Sequence, residues 1–536
     1  MPSNDDKGKI PTHANAVDMV NSRPKGTMTN AGWNGLFTLW SGIISLLLTP
    51  LLIYYLGVSQ YGILLLIWSF TGILSLANLG SGEATLRYVA YHYGDGNLPG
   101  VNRVFGSTLS LYTVICAVLT ILLLSAAPAL AGFLKIPPNE HHLVGSLLRL
   151  SAVVFSLGLY SQALGSIPMA LHRYDISSKI NMGQSTVRSI GYILLVIAKF
   201  GILHIILWDV FTCVGTICVQ VAVVRKITPG IRLLPSFSFR GLREIIGYSI
   251  FSFLTYCFYM VFRESGKMVL GRIMGTSSVA YLGTPDNVTQ RIHGLIASSS
   301  ETLLPRFSAN ADQGTEKALF LNGTWAALVF SIILLIPVIV LMPDFLSLWI
   351  NPKFSMESSA VGQLLALSYI AQGGFAPPAT FFRGTGKPWV VTGVMFLAGA
   401  VTLVSCVLLV PIHGVLGAGY AFLLGSFAHI LGLLGGWFYL FGASSLNLLM
   451  RSIALPLLAA GAAFILESGI RGWFMEVTWP GLVALGGLFA GITGFLVLGA
   501  DWVLGDDSPS RQLLEKIRGS EKLQRMLSCI PARRTR

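Results

Sequence analysis

Fourteen apolar runs succeed one another along this 536-residue chain, and they leave few folds open to it. A helix of about twenty apolar residues spans the ~30 Å hydrocarbon core of a bilayer, because it satisfies its own backbone hydrogen bonds where water is absent. The runs lie near residues 34–56, 61–82, 105–133, 144–170, 181–199, 203–224, 245–268, 279–303, 322–343, 360–382, 389–410, 414–440, 452–469 and 480–502. The fifth opens on the polar stretch GQSTVRS and is the least apolar of the set. Charged residues make up only 11% of the chain, against roughly a quarter in soluble domains. The expected fold class is an all-α polytopic membrane protein of fourteen transmembrane helices.

The placement of basic residues tests this count. With the N-terminus in the cytoplasm, 26 of the 36 Lys and Arg fall on the cytoplasmic side, and Lys135, Lys199, Arg272, Lys353 and Arg471 fall outside. The other five, Arg149, Arg188, Arg263, Lys267 and Arg291, lie within spans. Such asymmetry is what the positive-inside rule demands, and it predicts that both termini are cytoplasmic. A count wrong by one helix would scramble it. The polar segment 1–33 contains no apolar core and is not a signal peptide. Cys116, Cys213, Cys218, Cys257, Cys406 and Cys529 are scattered, so neither a disulfide framework nor a metal site is expected.

The chain also repeats itself. YLGVSQYG and the following LANLGSGEATLRYVA recur 218 residues later, with Gly57 matching Gly275, Ser59 matching Ser277 and Glu83 matching Glu301. The inserted Pro305 then separates Arg87 from its counterpart Arg306. A second echo sets Pro168–Arg173 against Pro378–Arg383. Six helices separate the copies, so both enter the membrane in the same direction, as in parallel repeats related by an axis along the membrane normal. The expected organisation is an N-lobe over 34–224 (helices 1–6), a basic linker over 225–244 and a C-lobe over 245–440 (helices 7–12). An added helix pair over 441–503 and a basic tail over 504–536 complete it. The linker breaks at Pro229, Gly230, Pro235 and Gly241, though FSFRGLREII is able to lie along the interface. The tail spaces Leu513, Leu514, Ile517, Leu523, Met526 and Leu527 mostly along one side of a surface helix.

Charge inside the spans carries the functional signal. An ionised residue at a helix centre costs roughly 2.5–3.5 kcal/mol on insertion scales, so it is expected to face protein or water. Arg263 and Lys267 are four apart and share a face, with Glu264 turned about 100° away. The next helix carries Asp286, Arg291 and His293, and Arg149, Arg188 and Asp209 stand in helices 4, 5 and 6. Five basic residues thus face Asp209, Glu264 and Asp286. Either internal ion pairs lock the helices together, or surplus cation lines a cavity for an anionic group, a task that suits the planar fork of arginine. Arg291 is too deep to snorkel and is the leading cavity candidate, followed by Lys267. Glu83 with Arg87 and Glu301 with Arg306 are expected to form ion pairs at inner helix ends, or to serve as a gate. His293, Asp209, Asp286 and Glu264 are candidates to carry a coupling ion. No phosphate-binding loop, nucleophile elbow or metal constellation is present, and no enzyme activity is expected.

YLGVSQYGILLLIW, LANLGSGEATLRYVA, MVLGRIMGTSSVAYLG, DFLSLWINPKF, FRGTGKP and PIHGVLGAGYA, in that order, resemble the Wzx-type polysaccharide flippases of the MOP superfamily. The resemblance spans most of residues 34–440. It implies translocation of an undecaprenyl-diphosphate-linked oligosaccharide to the outer leaflet of the bacterial inner membrane, by alternating access between two lobes around a cationic cavity. No cofactor is implied, only an ion gradient (H⁺ or Na⁺) or the membrane potential. The implied partners are the lipid-linked oligosaccharide, membrane lipids, and the polymerase and glycosyltransferases of the same pathway, with no nucleic acid. Gly266–Lys267 stands where family members often carry an acidic–basic pair, so the ion-coupling residue is left open. Fourteen helices also fit the lipid II flippases of that superfamily. A cation-coupled multidrug exporter of the MATE kind calls for surplus acid in its cavity. A membrane glycosyltransferase or polymerase calls for larger outer loops than 344–359 or 470–479.

Overall fold

A computed structural model describes residues 27–78, 81–133, 140–171, 173–239, 241, 250–308, 313–442 and 445–503. The tail helix expected over 510–528, most of the N-terminal segment and linker residues 242–249 lie outside this set. No strand occurs among the described residues. The helices are α1 (Thr27–Leu74, with a 3₁₀ turn over Ser75–Asn78), α2 (Ser81–Gly94), α3 (Leu98–Phe133), α4 (His141–Ala170), α5 (Tyr174–Ile197), α6 (Ile202–Ile227), α7 (Ile250–Ile273) and α8 (Thr276–Glu301). They continue as the short α9 (Leu304–Ser308), α10 (Gln313–Trp349), α11 (Pro352–Gly384), α12 (Pro388–His413) and α13 (Val415–Phe441). The last are the short α14 (Leu446–Leu449), which runs through a π-turn over Met450–Ala454 into α15 (Leu455–Arg471), and α16 (Trp479–Val503).

The fourteen expected spans are all present. Nine stretches among the described residues are long and apolar enough to cross a membrane on composition alone. One of them, in α1, is double length and broken at Gly57, so it supplies two crossings. The spans that fail the apolar test are α5, α7, α8 and α11, the helices that carry the buried polar groups described below. Two differences from the sequence expectation stand out. The second span stops at Leu74 rather than running to 82, and the charged segment after it forms the separate helix α2, which buries Ala84 and Val89. Several helices also extend beyond their apolar runs; α10 begins at Gln313, well before residue 322.

The repeat has a backbone basis. Gly57 sits at φ 80°, ψ 161°, a region essentially reserved for glycine. Its counterpart Gly275 has φ 90° at the joint between α7 and α8. Both corners therefore need a residue without a side chain. They also meet: the Ser59 and Thr276 hydroxyls lie 2.8 Å apart. The chain divides into two compact units, residues 1–257 with 274–277, and residues 258–273 with 278–536.

In the first unit, Phe105, Leu109 and Tyr112 of α3 pack with Phe155, Leu159 and Ile167 of α4 and Val224 of α6. The basic linker is fastened to α3 rather than loose. Asn102 donates to the Gly230 carbonyl at 3.1 Å and accepts from the Arg232 amide at 2.9 Å. In the second unit, prolines free backbone carbonyls that hydrocarbon cannot solvate. Pro343 leaves the Ile339 carbonyl without its helical donor, and Gln363 of α11 supplies one at 2.8 Å. Pro285 does the same to Tyr281, whose carbonyl accepts from Ser358 at 2.6 Å. The added pair packs onto α10: Ala459, Ala460 and Ala463 of α15 and Val497 of α16 join Leu328, Ile332 and Leu335 in one buried cluster. Arg471, one of the five basic residues expected outside, clamps this arrangement through two 2.5 Å contacts to Asp344 of α10.

A Cβ on Gly62 would stand 1.9 Å from the Thr276 carbonyl oxygen, whereas one on Gly72 would meet nothing within 4 Å. Gly62→Ala is therefore expected to cost about 1–3 kcal/mol, as overpacking does. Gly72→Ala is expected to be neutral or slightly stabilising. Thermal unfolding of the two purified variants, followed by tryptophan fluorescence in detergent, tests the contrast.

Candidate functional site

An ionised side chain inside the spanning region is tolerated only when its partner is also there, because desolvation costs several kcal/mol per ion. The second unit meets this condition with one cluster. Glu264, Lys267 and Asp286 are all buried. The Lys267 ammonium lies 3.0 Å from Glu264 Oε2 and 3.6 Å from Asp286 Oδ2. Arg263 donates to the other Glu264 oxygen at 2.9 Å. The buried Tyr369 hydroxyl of α11 donates to Asp286 Oδ1 at 2.7 Å, and its ring stacks on His293 at 5.2 Å between centroids. Asp286 and His293 are seven residues apart, so α8 presents both on one face.

Glu264 is thus not turned away from its neighbours, as single-residue rotation suggested. Positions 264 and 267 are one helical turn apart, and a glutamate reaches both Arg263 and Lys267 from between them. With two acids and two bases the cluster is formally neutral. The Asp286 Oδ2 atom, 3.6 Å from the ammonium, has no hydrogen-bond partner among the described residues, and His293 Nδ1 has none there either. Such a group can hold or pass a proton, and it can exchange one counter-ion for another.

The first unit carries the second cluster. Arg188 of α5 grips Asp209 of α6 through both fork nitrogens, at 2.7 and 3.0 Å. Tyr192 donates to the same carboxylate at 2.5 Å. The guanidinium also lies over Trp68, 5.8 Å from its ring centre. Three of the five basic residues in the spans are therefore matched by the three acids singled out from the sequence, each within a single unit. Arg149 is exposed two turns into α4, and Arg291 is half-buried on α8.

At the helix ends expected to face inward, the pairing differs from expectation. Glu301 pairs with Arg383 of α11 at 2.5 Å, not with Arg306. Arg306 is five residues on and would lie about 140° around a continuous helix. The chain in any case leaves helical geometry at Thr302–Leu303, and Arg306 is exposed. Arg383 is the repeat counterpart of Arg173, which itself binds Asp175 at 3.1 Å. The Glu83 side chain lies outside what the structure describes, so its pairing with Arg87 is not assigned.

Sequence reasoning passed over several members of these groups. Tyr369 and Tyr192 lie in apolar runs, and nothing short of the fold joins them to Asp286 and Asp209. Glu467 carried a plain signal, a lone acid in the apolar run of α15, and belongs with the acids inside the spans. It is fully buried, and it accepts from Thr493 of α16 at 2.6 Å. No group of three or more His, Cys, Asp or Glu able to hold a metal occurs among the described residues.

Residues 27–311 match the family model described as polysaccharide biosynthesis protein. An uncharacterized membrane protein of Methanocaldococcus jannaschii is 21% identical over 376 residues, covering 67% of this chain and 73% of that protein. Among solved structures, the lipid II flippase MurJ in its inward closed conformation superposes with a TM-score of 0.67 at 14% identity, covering 86% of this chain and 98% of MurJ. A multidrug resistance MATE family transporter of the MOP superfamily, in an inward-facing conformation, gives 0.60 at 16% identity, over 79% of this chain and 98% of that one. A MOP superfamily transporter from Pyrococcus furiosus, described by the reverse polarity of its binding pocket, gives 0.54 at 14% identity, over 81% and 95%. At these identities the likeness is one of fold.

Removing Lys267 leaves two buried carboxylates one cation short. Lys267→Met is expected to destabilise the protein by about 3–5 kcal/mol, and adding Asp286→Asn to recover part of that loss. Thermal unfolding of the single and double variants measures both effects; a wild-type midpoint for Lys267→Met would show that the ammonium is not needed there.

Proposed function

This chain belongs to the polysaccharide biosynthesis protein family, and from that membership we propose that it is a lipid-linked oligosaccharide flippase. It moves an undecaprenyl-diphosphate-linked repeat unit from the inner to the outer leaflet of the bacterial inner membrane, for surface polysaccharide assembly, without altering it chemically. The family match over residues 27–311 carries the reading. The fold supports it, since helices that span hydrocarbon here bring charged and hydrogen-bonding side chains into the membrane. A diphosphate needs cations, the sugars need polar surroundings, and the polyprenyl tail can remain in lipid.

Within this reading Arg291 is the principal ligand of the diphosphate. Arg263 and Lys267 contribute by exchanging a carboxylate partner for a phosphate oxygen, and Arg188 and Arg149 play lesser parts. Any carboxylate released in that exchange takes up a proton or Na⁺, so Glu264 and Asp286, with His293 near them, are where an ion gradient would couple to transport. Asp209 offers the corresponding group in the first unit. Glu301 with Arg383 acts as an inner-end lock. Fourteen helices and the likeness to MurJ make lipid II flipping the second reading; it differs in the sugar carried.

Cells depleted of the protein are expected to accumulate a polyprenyl-diphosphate sugar facing the cytoplasm and to lose surface polymer. Mass spectrometry of extracted lipids identifies the sugar and separates the two readings. Intact polymer with no accumulation, in cells with no second flippase, would count against both and for drug export. Arg291→Ala is expected to abolish export while the protein still inserts and folds. Normal polymer output from that variant would remove Arg291 from the mechanism.

A further inference from the structure

The first unit contains a cavity of about 520 Å³ among α1, α4, α5 and α6, within the roughly 300–1,000 Å³ range of small-molecule sites. Its lining is unusual for a membrane-spanning bundle. Four carboxamides converge on it, Gln162 of α4, Asn181 and Gln184 of α5, and Gln220 of α6, with hydroxyls between them, and among the described residues no Asp, Glu, Lys, Arg or His lines it. The polar GQSTVRS opening of the fifth span, which made that helix look unlike the others, supplies Gln184 to this wall.

A buried carboxamide without partners costs roughly as much as an unmade hydrogen bond, so its presence calls for an occupant. Gln220 is 5% exposed, and its Oε1 atom has no hydrogen-bond partner. Gln184 directs its amide at the Cys213 sulfur 3.9 Å away, a weak acceptor. Asn78, by contrast, spends its amide on Gln162 Oε1 at 2.7 Å, which fixes one wall of the cavity in place.

We propose that this cavity binds an uncharged sugar ring. A sugar hydroxyl both donates and accepts, and a carboxamide offers one acceptor oxygen and two donor hydrogens, so the two are matched group for group. Phe155 and its apolar neighbours provide a surface for the C–H face of a ring. An acidic or cationic sugar would shed hydration in the cavity and find no counter-charge. This inference rests on the flippase reading and narrows it: the repeat unit carries at least one neutral hexose or N-acetylhexosamine. In the orientation that the basic residues imply, residues 177–184 of α5 and 213–223 of α6 lie in their cytoplasmic halves, on the side from which the substrate is loaded.

The test is a binding titration of the full chain in lipid nanodiscs. Three short-chain polyprenyl diphosphates serve as probes, bearing N-acetylglucosamine, glucuronic acid or no sugar. The neutral sugar is expected to bind about tenfold more tightly than the sugarless lipid, the size of one well-placed hydrogen-bond set. Gln220→Leu is expected to remove that tenfold while leaving the affinity for sugarless lipid unchanged. Gln184→Leu provides an independent check should the first variant fail to fold. Retention of the preference in a folded variant, or equal binding of the glucuronic lipid, would overturn the sugar site and leave the flippase reading standing. Failure of all three lipids to bind the wild-type chain would overturn the flippase reading, and the sugar site with it.

Discussion

Desolvation of charge is the constraint from which the rest of this structure follows. Hydrocarbon offers no water to an ionised side chain, so each carboxylate at depth must either bring its cation or be held by hydrogen bonds. Asp209 has the two-pronged Arg188 and the Tyr192 hydroxyl. Glu264 and Asp286 share Lys267, with Arg263 and Tyr369 closing the set. These pairings fix which faces of α5 and α6, and of α7, α8 and α11, point inward. They also explain why α5, α7, α8 and α11 are too polar to be recognised as spans by composition alone. Their polar residues are stabilised by one another and not by solvent.

The backbone obeys the same constraint. A proline inside a spanning helix frees a carbonyl, and α11 repairs two such sites with Ser358 and Gln363. Bending is thereby permitted without leaving an unsolvated dipole. Corners are treated differently. Gly57 and Gly275 adopt positive φ at equivalent points of the repeat, and so the duplication is preserved at the positions where only glycine fits. Residues between those corners are free to drift. Glu301 shows this: the chain leaves helical geometry at Thr302–Leu303, the inserted Pro305 displaces Arg306 by one further position, and Glu301 pairs with Arg383 instead.

Much of this was legible beforehand because membrane proteins write their topology in simple terms. The apolar runs, the one-sided distribution of Lys and Arg, and the recurrence of YLGVSQYG together gave fourteen spans and a parallel repeat. What escaped was pairing across helices. Rotation about one helix axis placed Glu264 away from Arg263 and Lys267, but side chains of that length bridge 60–100° of arc with ease. Tyr192 and Tyr369 escaped because a phenol in an apolar run has no signature of its own; only the fold reveals that its hydroxyl is aimed at a carboxylate. Glu467 was a different case, visible as the lone acid of its run and simply outweighed by the apolar residues around it. The carboxamides of the first unit escaped for a further reason. Gln and Asn carry no charge to count, so a tally of ionised residues passes over a lining whose polar groups, among the described residues, are all neutral.

That distinction bears on how one protein would handle a lipid whose head is anionic and whose sugars are not. Arg188, Arg263 and Lys267 are already matched, so a diphosphate gains from them only by displacing a carboxylate, and the displaced acid must then acquire a proton or a metal ion. Exchange of this kind ties substrate binding to ion uptake without a separate coupling device, since neither the diphosphate nor the acid is stable beside the other without it. A neutral sugar makes no such demand. It can settle among carboxamides at little electrostatic cost and leave as readily, because hydrogen bonds of this type contribute modestly once water is again available. In the proposed function the two chemistries therefore divide the work: ion exchange at the head supplies direction, and the uncharged cavity supplies selection among sugars.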